Sequence, residues 1–296
     1  MSSNLSLLIL AAGVGSRYQS AKQIDVVGSS GQILLQYSIY DAINAGFNKI
    51  ILVVNNDVEQ LLKKQLVYLE DVVELFYINQ NNYNLSNNIN RKKPWGTAHA
   101  VLVAQQYINE PFMVLNADDF YGKTAFELAS NFLVSNSISA THMGMIAYKL
   151  KNTLSKHGSV SRGICQVDAN NYLLSIKEHT SIVANEQTIS SSNNKEIIFN
   201  SESLVSMNCW LFHPSIFKEL VKGFADFFSL HSSSETVEYF LPDLVMKTIE
   251  NNKINFSLIK STDKWMGLTY LKDKIDFIET LTKCQLNKSY PESFHD

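Results

Sequence analysis

The sequence predicts a three-layer α/β protein, Rossmann-like in topology, in which helices cover both faces of a mostly parallel, mixed sheet. One observation is a continuous apolar run at 5–10, typical of a strand buried on both faces. Another is a helical pattern at 33–45 that Gly46 ends, and a third is a further apolar run at 50–54. A strand, a helix and a strand in this order predict a right-handed crossover between parallel strands.

The same alternation continues to about residue 115. The patterns predict helices at 57–68 and 96–107 and strands at 72–78 and 112–115. Ligands of parallel sheets bind at the carboxyl ends of the strands. The loops after Leu10, Ile78 and Leu115 are therefore expected to hold the functional site.

The pattern changes at about Thr141. The later elements are expected to be hairpin strands at 165–167 and 172–176, a polar loop at 184–203, strands at 204–212 and 256–259, and helices at 214–228, 236–251 and 271–286. No internal repeat or clean linker separates them. We therefore expect a single domain over residues 1–296.

Composition excludes several classes of protein. With 45% hydrophobic and 18% charged residues, the chain is too apolar for a disordered protein. Its net charge of −3 argues against general nucleic-acid binding, because phosphate neutralisation needs a basic surface. The three cysteines are far apart and lack histidines at zinc-ligand spacing, which argues against a disulfide framework and against a zinc site. No apolar run reaches the length of a membrane span, so we expect a cytoplasmic protein with reduced thiols.

The loop after the first strand carries the strongest chemical signal. Gly13 and Gly15 allow backbone N–H groups to approach a phosphate chain, and Arg17 and Lys22 would neutralise its charge. A Walker A loop is excluded because no Gly-Lys-Ser/Thr follows. A dinucleotide fingerprint is excluded because Tyr18 stands where a third small residue is required. The alternative is an ordinary turn with an exposed arginine.

Three motifs together resemble the sugar-1-phosphate nucleotidyltransferases, the family that includes glucose-1-phosphate uridylyltransferase and thymidylyltransferase. The first is the run 10–17 followed by Lys22. The second, Lys-Pro-Trp-Gly-Thr-Ala-His-Ala at 93–100, resembles the family's loop beside the nucleobase. The third, Asn-Ala-Asp-Asp-Phe-Tyr-Gly at 116–122, resembles its metal-aspartate motif.

The resemblance implies a nucleotidyltransferase fold with a nucleotide-binding half at 1–140, a sugar-binding half at 141–260 and a C-terminal helix at 261–296. It implies a nucleoside triphosphate and a sugar 1-phosphate as partners, with Mg²⁺ as cofactor. Neither nucleic acid nor a membrane is an expected partner, and a homo-oligomer is left open.

The resemblance also implies roles for individual residues. Those implied in catalysis are Arg17, Lys22 and Asp118. Those implied in nucleotide binding are Leu10, Ala11, Ala12, Gly13, Gly15, Gln80, Pro94, Gly96 and Thr97. Those implied in sugar binding are Asp119, Gly163, Glu178 and Asn208, and the metal ligands are Asp118 and Asp263.

The residues themselves support the metal assignment. Asp118 and Asp119 follow the buried run at 112–115, so they emerge at the carboxyl end of a strand. Hard carboxylate oxygens in that place suit Mg²⁺, which also binds phosphate oxygens and water. The alternative for Asp119 is that it caps the following helix, since Asp is a favoured N-cap residue.

Two positions depart from the family pattern. His179 follows Glu178 where family members often carry a lysine that binds the sugar phosphate. Gly267, in the segment Trp-Met-Gly, stands where they usually carry a second metal aspartate, and Asp263 is the expected substitute.

The resulting hypothesis is a Mg²⁺-dependent nucleotidyltransferase that couples a nucleoside triphosphate, with UTP or dTTP favoured, to a sugar 1-phosphate and releases pyrophosphate. One alternative is a non-catalytic nucleotide-sugar sensor, which the glycine at position 267 favours. Others are a transferase for another phosphorylated alcohol and a glycosyltransferase.

Overall fold

The structure is a computed structural model that describes residues 4–13, 25–82, 91–135, 137–185, 188–194, 196–251, 253–268, 270 and 272–294. Its strands are β1 (Ser6–Leu10), β2 (Lys49–Val54), β3 (Glu74–Asn79), β4 (Phe112–Asn116), β5 (Asp119–Phe120), β6 (His142–Lys149), β7 (Val160–Val167), β8 (Leu173–Ala184), β9 (Ile189–Ser191), β10 (Ile198–Phe199), β11 (Leu204–Phe212), β12 (Asn255–Lys260) and β13 (Met266–Gly267). Its helices are α1 (Leu34–Asn44), α2 (Asn56–Gln65), α3 (Thr97–Leu102), α4 (Lys123–Val134), α5 (Ile216–His231), α6 (Leu241–Glu250) and α7 (Asp273–Leu286).

The first four strands form a parallel unit in which β1 lies between β2 and β4, and β3 lies outside β2. Leu10, the last residue of β1, is in register with Val53 and Asn116. The carboxyl ends of these strands therefore meet at one edge of the sheet, as the sequence predicts.

β11 joins the two halves of the chain, because it runs antiparallel to β4 and also pairs with β6 and β7. The result is one eleven-stranded sheet, while β5 and β13 form a separate two-stranded sheet. β6, which pairs in parallel with β12, was not predicted from the sequence. Gly144, Ala147 and Lys149 within it are weak strand formers, so its local sequence gives no clear strand pattern.

Several predicted elements have different bounds in the structure. The helix expected at 96–107 ends as α3 at Leu102 and continues as a short 3₁₀ turn at Gln105–Tyr107. The polar stretch expected to be a loop contains the short strands β9 and β10. The helix expected from residue 236 begins as α6 at Leu241, because the preceding segment is hydrogen-bonded to the loop before α3.

Side chains alternate along β1 and fill both faces of the sheet. Leu7 and Ile9 pack into one core with residues of α1, α2 and α4, and Leu8 packs into the opposite core with residues of α3, α5 and α6. This arrangement confirms the predicted three layers. α7 packs through Phe277 into a third, smaller core against α1. None of the helices in the described ranges is long and apolar enough to cross a membrane.

Candidate active site

The predicted phosphate loop begins at the carboxyl end of β1. Ala11 N donates to Val53 O over 2.8 Å, and Ala12 O accepts a bond from Asn55 Nδ2 over 3.1 Å. Leu10, Ala11 and Ala12 are buried, while Gly13 is exposed at the edge of the sheet. These two hydrogen bonds fix the backbone of Ala11 and Ala12 just before the loop. The other predicted residues of this loop, Gly15, Arg17 and Lys22, lie outside the described residues.

The predicted nucleobase loop contacts the residue that follows β3. Gln80 is buried, and its Nε2 lies 3.2 Å from Gly96 O and 3.2 Å from Nδ1 of His99. Gly96 has a φ of 99°, in the left-handed region that favours glycine. A Cβ at this position would lie 2.5 Å from Tyr239 O. The structure therefore brings Gln80 and Gly96 together, as the sequence predicts, and requires glycine there.

A second segment holds this loop in place. Tyr239 N donates to Trp95 O over 2.7 Å, and Leu241 N donates to Thr97 Oγ1 over 2.9 Å. Thr97 is the first residue of α3, and Leu241 is the first residue of α6. Pro94 lies partly exposed just before these contacts. The loop and α6 consequently form one connected unit.

The acidic turn lies between β4 and β5. Asp118 is partly buried in the turn, and Asp119 is buried with 8% of its surface exposed. Burial, with the neighbouring charge of Asp118, raises the pKa of Asp119 well above its ordinary value. Two adjacent carboxylates at the end of a strand favour a cation beside them.

Asp119 belongs to a chain of hydrogen-bonded amides on the floor of the site. Its Oδ2 accepts from Asn116 Nδ2 over 2.9 Å, and Asn116 Oδ1 accepts from Asn208 Nδ2 over 2.7 Å. Asn208 Oδ1 accepts from Trp210 Nε1 over 2.9 Å. The Tyr121 hydroxyl also lies 3.3 Å from Asp119 Oδ2. These bonds hold Asp119 in the site, so it does not act as the helix cap that was the alternative for this residue.

A cleft with a volume of about 560 Å³ opens above these amides. Its lining residues are Thr97, Asn116, Asp119, Ser161, Gly163, Ile176, Glu178, Ser206, Met207, Asn208, Phe240, Pro242, Asp243 and Met246. All four predicted sugar-binding residues are among them. Thr97, predicted to bind nucleotide, lies at the same cleft. The structure thus brings residues of the two predicted binding regions to one concave surface.

Gly163 and Glu178 are opposite each other in the pairing of β7 with β8. A Cβ at position 163 would lie 2.7 Å from Ile176 Cγ2 and 3.5 Å from Glu178 Oε2, so the Ile176 side chain requires glycine here. Burial raises the pKa of Glu178, and the positive charge of Arg162 opposes that shift. His179, on the same strand, packs against Phe199 with ring centroids 5.2 Å apart.

Gly267 pairs with Asp119 between β13 and β5. A Cβ at position 267 would lie 2.9 Å from Asp119 Oδ1 and would overlap the indole of Trp265. The position where the family usually has a second aspartate therefore has no room for a side chain. Arg162 lies over this indole, 4.8 Å from the ring centroid, and is 7% exposed. Its Nε donates to Thr153 O over 3.1 Å.

Asp263, the expected substitute ligand, lies at the amino end of α4. Its Oδ2 accepts from Ala125 N over 3.3 Å, and a Cβ at Gly122 would lie 2.6 Å from the same oxygen. A carboxylate in this position satisfies a helix N–H group and interacts favourably with the helix dipole. The structure therefore accounts for Asp263 as a helix cap, and its role as a metal ligand stays a prediction.

Within the described residues, no group of three or more His, Cys, Asp or Glu side chains is arranged to hold a metal ion. Mg²⁺ does not require such a cage, because it is usually held by one or two carboxylates together with substrate phosphates and water. The adjacent carboxylates of Asp118 and Asp119, with the raised pKa of the latter, fit that requirement.

Sequence reasoning missed two parts of the site. The wall formed by α6, through Pro242, Asp243 and Met246, depends on how the helix packs, which no local motif encodes. Asn116 and Tyr121 were noted only as motif letters, yet they hold Asp119. Their place within the motif beside the two aspartates was the available signal.

Comparisons with known proteins agree with this geometry. The family model described as "Nucleotidyl transferase" matches residues 6–282. A search of curated proteins gave no significant match. The inositol-1-phosphate CTP transferase from T. maritima has a similar structure, with a TM-score of 0.64, 16% identity and coverage of 96% of this chain and 97% of that one.

A second similar structure is a putative glucose-1-phosphate thymidylyltransferase from Bacillus anthracis, solved in complex with a sucrose. It has a TM-score of 0.60 and 12% identity, and the alignment covers 93% of this chain and 94% of that one. At these identities the two structures show a shared fold.

Proposed function

The chain belongs to the nucleotidyl transferase family, and we propose on that basis that it couples a nucleoside triphosphate to a sugar 1-phosphate and releases pyrophosphate. The observation that carries the proposal is the shared cleft. Thr97, from the predicted nucleobase loop, and Asp119, from the acidic turn, line it together with Gly163 and Glu178 of the predicted sugar side. Two substrates that react with each other need such adjacent sites.

The cleft suits the hydroxyl-bearing part of the acceptor. Its described lining contributes the carboxylates of Asp119, Glu178 and Asp243, and no lysine or arginine. Carboxylates and the amide of Asn208 accept bonds from hydroxyl groups, whereas a phosphate would be repelled by the carboxylates. The phosphate of the acceptor would therefore lie outside this lining, on the side of Asp118.

The reaction needs no covalent enzyme intermediate. An oxygen of the acceptor phosphate forms a bond to the α-phosphorus of the triphosphate. The bond from that phosphorus to the oxygen bridging to the β-phosphate breaks, and pyrophosphate leaves with the electron pair. The chain would supply position and charge: Arg17 would stabilise the leaving pyrophosphate, and Lys22 the phosphates near the reacting centre.

Asp118 would hold the Mg²⁺ ion, with Asp119 beside it. When bound, the ion supplies positive charge that neutralises phosphate oxygens. Asp119 is itself kept in place by Asn116 and Tyr121, so its carboxylate is preorganised. The charge of Asp118 raises the pKa of Asp119, and a bound cation would oppose that effect.

The favoured donors are UTP and dTTP. Gln80 follows β3 in the place where the family resemblance puts a glutamine that bonds the base, and it contacts the backbone of Gly96. Gly96 in turn allows a base to lie against the loop backbone. The neighbour from T. maritima is a CTP transferase, so CTP belongs in the same test.

The second candidate is a nucleotide-sugar sensor without catalysis. The observation that favours it is the glycine at position 267, where the family usually has a second metal-binding carboxylate. The space that a side chain would need there is occupied by Trp265 and Asp119. A sensor would bind nucleotide sugar in the same cleft and would release no pyrophosphate.

The test is pyrophosphate release with Mg²⁺, measured for UTP, dTTP, CTP, ATP and GTP against glucose, galactose, mannose and glucosamine 1-phosphates and inositol 1-phosphate. We expect release that requires both substrates, and highest with a pyrimidine triphosphate. Release with inositol 1-phosphate and with none of the sugar 1-phosphates would show that the acceptor is another phosphorylated alcohol. Calorimetric binding of a nucleotide sugar with no release across the panel would establish the sensor.

A further inference from the structure

Gln80 and His99 form a buried polar pair beneath the nucleobase loop. Only 5% of Gln80 and 1% of His99 are exposed. Nε2 of Gln80 lies 3.2 Å from Gly96 O and 3.2 Å from Nδ1 of His99. The two contacts come from different elements, because Gly96 precedes α3 and His99 lies within it.

These contacts determine which way the amide faces. A backbone carbonyl oxygen accepts hydrogen bonds only, so the Gln80 atom that faces Gly96 O must be the NH₂ group. That group has two protons, and the second points to Nδ1 of His99. Every hydrogen bond of Gln80 within the described residues uses Nε2. The side-chain oxygen Oε1 is thus left for a ligand.

The same contacts determine the state of the imidazole. An NH₂ group has no free lone pair, so Nδ1 of His99 must accept, and the ring proton is on Nε2. Burial, assisted by the positive charge of Arg91, lowers the pKa of His99 to about 3. The ring is therefore neutral at physiological pH and remains an acceptor. It also packs against Phe224, with ring centroids 4.7 Å apart.

We propose that His99 is a positioning residue that holds Gln80 with its side-chain oxygen towards the nucleobase, so that the amide acts on the base as an acceptor only. The inference rests on the proposed function, because that function places a base beside Gln80. A base that fits must present an N–H group there; among the pyrimidines this is the N3–H of uracil or thymine, or the N4 amino group of cytosine. A glutamine whose amide rotates freely could bind a base that presents either a hydrogen-bond donor or an acceptor at this place.

The test uses two variants of similar shape, His99→Asn and His99→Leu. The Asn side-chain oxygen lies near the place of Nδ1 and can accept from Gln80, whereas Leu cannot. Both variants lose the ring contact with Phe224, so they differ chiefly in the acceptor. Thermal unfolding of both variants checks that they are equally folded. The ligands are UTP with N3-methyl-UTP, and CTP with N4,N4-dimethyl-CTP, measured by calorimetric titration and by steady-state kinetics.

We expect His99→Leu to raise the KM and Kd for the preferred pyrimidine triphosphate about 3- to 10-fold, the loss of one neutral hydrogen bond. Its kcat should stay within about twofold, since the amide acts on binding and not on the reacting atoms. Discrimination against the methylated analogue should fall in the same variant. His99→Asn should restore both the affinity and the discrimination.

Equal affinity and discrimination in wild type and His99→Leu would overturn the inference, as would a His99→Asn variant as impaired as His99→Leu. The proposed function fails separately, if the wild type releases no pyrophosphate with any substrate pair. In that case the titrations still measure the effect of His99 on nucleotide binding. A wild type that binds no pyrimidine triphosphate contradicts both.

Discussion

Asn208 Nδ2 donates to Asn116 Oδ1 over 2.7 Å, and this bond joins the strand of the predicted sugar side to the strand that carries the acidic turn. Asn208 can make it because its backbone adopts a φ of 55°, at an irregularity in the pairing of β11 with β6. Asparagine tolerates this left-handed conformation better than most residues. The amide therefore links side chains of the two halves of the site beside the backbone pairing of β4 with β11.

Replacing Asn208 should destabilise the protein in a way that depends on the substituent. Asn208→Ala loses the bonds to Asn116 and Trp210 and keeps a Cβ at positive φ, whereas Asn208→Gly loses the bonds only. We expect a loss of about 2–3 kcal/mol for Ala and about 0.5–1 kcal/mol less for Gly. Urea denaturation gives both values. An alanine variant as stable as the glycine variant would contradict a strained backbone at this position.

Gly267→Ala should cost stability through overpacking. The added Cβ meets Asp119 Oδ1 at 2.9 Å and the Trp265 indole, both buried. We expect about 1–3 kcal/mol of destabilisation, with weaker binding of the acceptor because Asp119 must move. Gly31→Ala measures backbone strain alone for comparison, because position 31 has a φ of 87° and nothing within 4 Å of a Cβ. A Gly267→Ala variant with the thermal stability of the wild type would refute the packing argument.

Asp41 should make stability fall as pH rises. Its carboxyl is buried and accepts from the Tyr290 hydroxyl over 2.6 Å, and burial raises its pKa from 3.8 to about 7. A carboxyl whose pKa is higher in the folded state stabilises the fold when protonated. Its contribution is complete below pH 4 and is lost as pH rises to about 7.

Asp41→Asn should remove this dependence, since the amide resembles the protonated acid and can still accept from Tyr290. Relative to wild type, we expect a gain of up to about 4 kcal/mol at pH 8 that vanishes towards pH 4. Urea denaturation at pH 4, 5, 6, 7 and 8 measures it, with exposed Asp57→Asn as control. A constant difference between Asp41→Asn and wild type at every pH would show that Asp41 ionises normally.

Asp118→Asn and Asp263→Asn should separate catalysis from stability. Asp118→Asn should lower kcat by about 10³-fold, the effect expected when a group that stabilises charge in the reaction is lost. The unfolding temperature of this variant should not change. Asp263→Asn should lower stability by about 0.3–1 kcal/mol, because it removes a negative charge beside the amino end of α4. Pyrophosphate release and thermal unfolding give the two values. A loss of turnover in Asp263→Asn equal to that in Asp118→Asn would return Asp263 to the metal site.

The parallel part of the fold could be predicted because β1, β2 and β4 each contain at least four consecutive apolar residues. Glycine follows β1 and paired aspartates follow β4. The position of the site follows from those strand ends. β6 could not be predicted, because weak strand formers interrupt its sequence and the strand is defined by its pairing with β11 and β12. The direction of a side chain is equally non-local: the sequence places Asp263 near a tryptophan, but only the packing of α4 shows the helix end that it caps.

The same limit applies to Gln80. Its place after β3 indicates a contact with the base, but the partners of its amide, Gly96 and His99, lie 16 and 19 residues away. Only the folded loop shows which atom of the amide is left for a ligand.

The most direct test of nucleotidyl transfer is the ³¹P NMR spectrum of a reaction with Mg²⁺, the best nucleoside triphosphate and the best phosphorylated acceptor. The account predicts equal amounts of pyrophosphate and of a product whose two phosphorus atoms are coupled, joined as a diphosphate between nucleoside and acceptor. Asp118→Asn and Arg17→Ala should form neither. Nucleoside monophosphate in place of the diphosphate product, or no change in a folded protein that binds nucleotide, would contradict it.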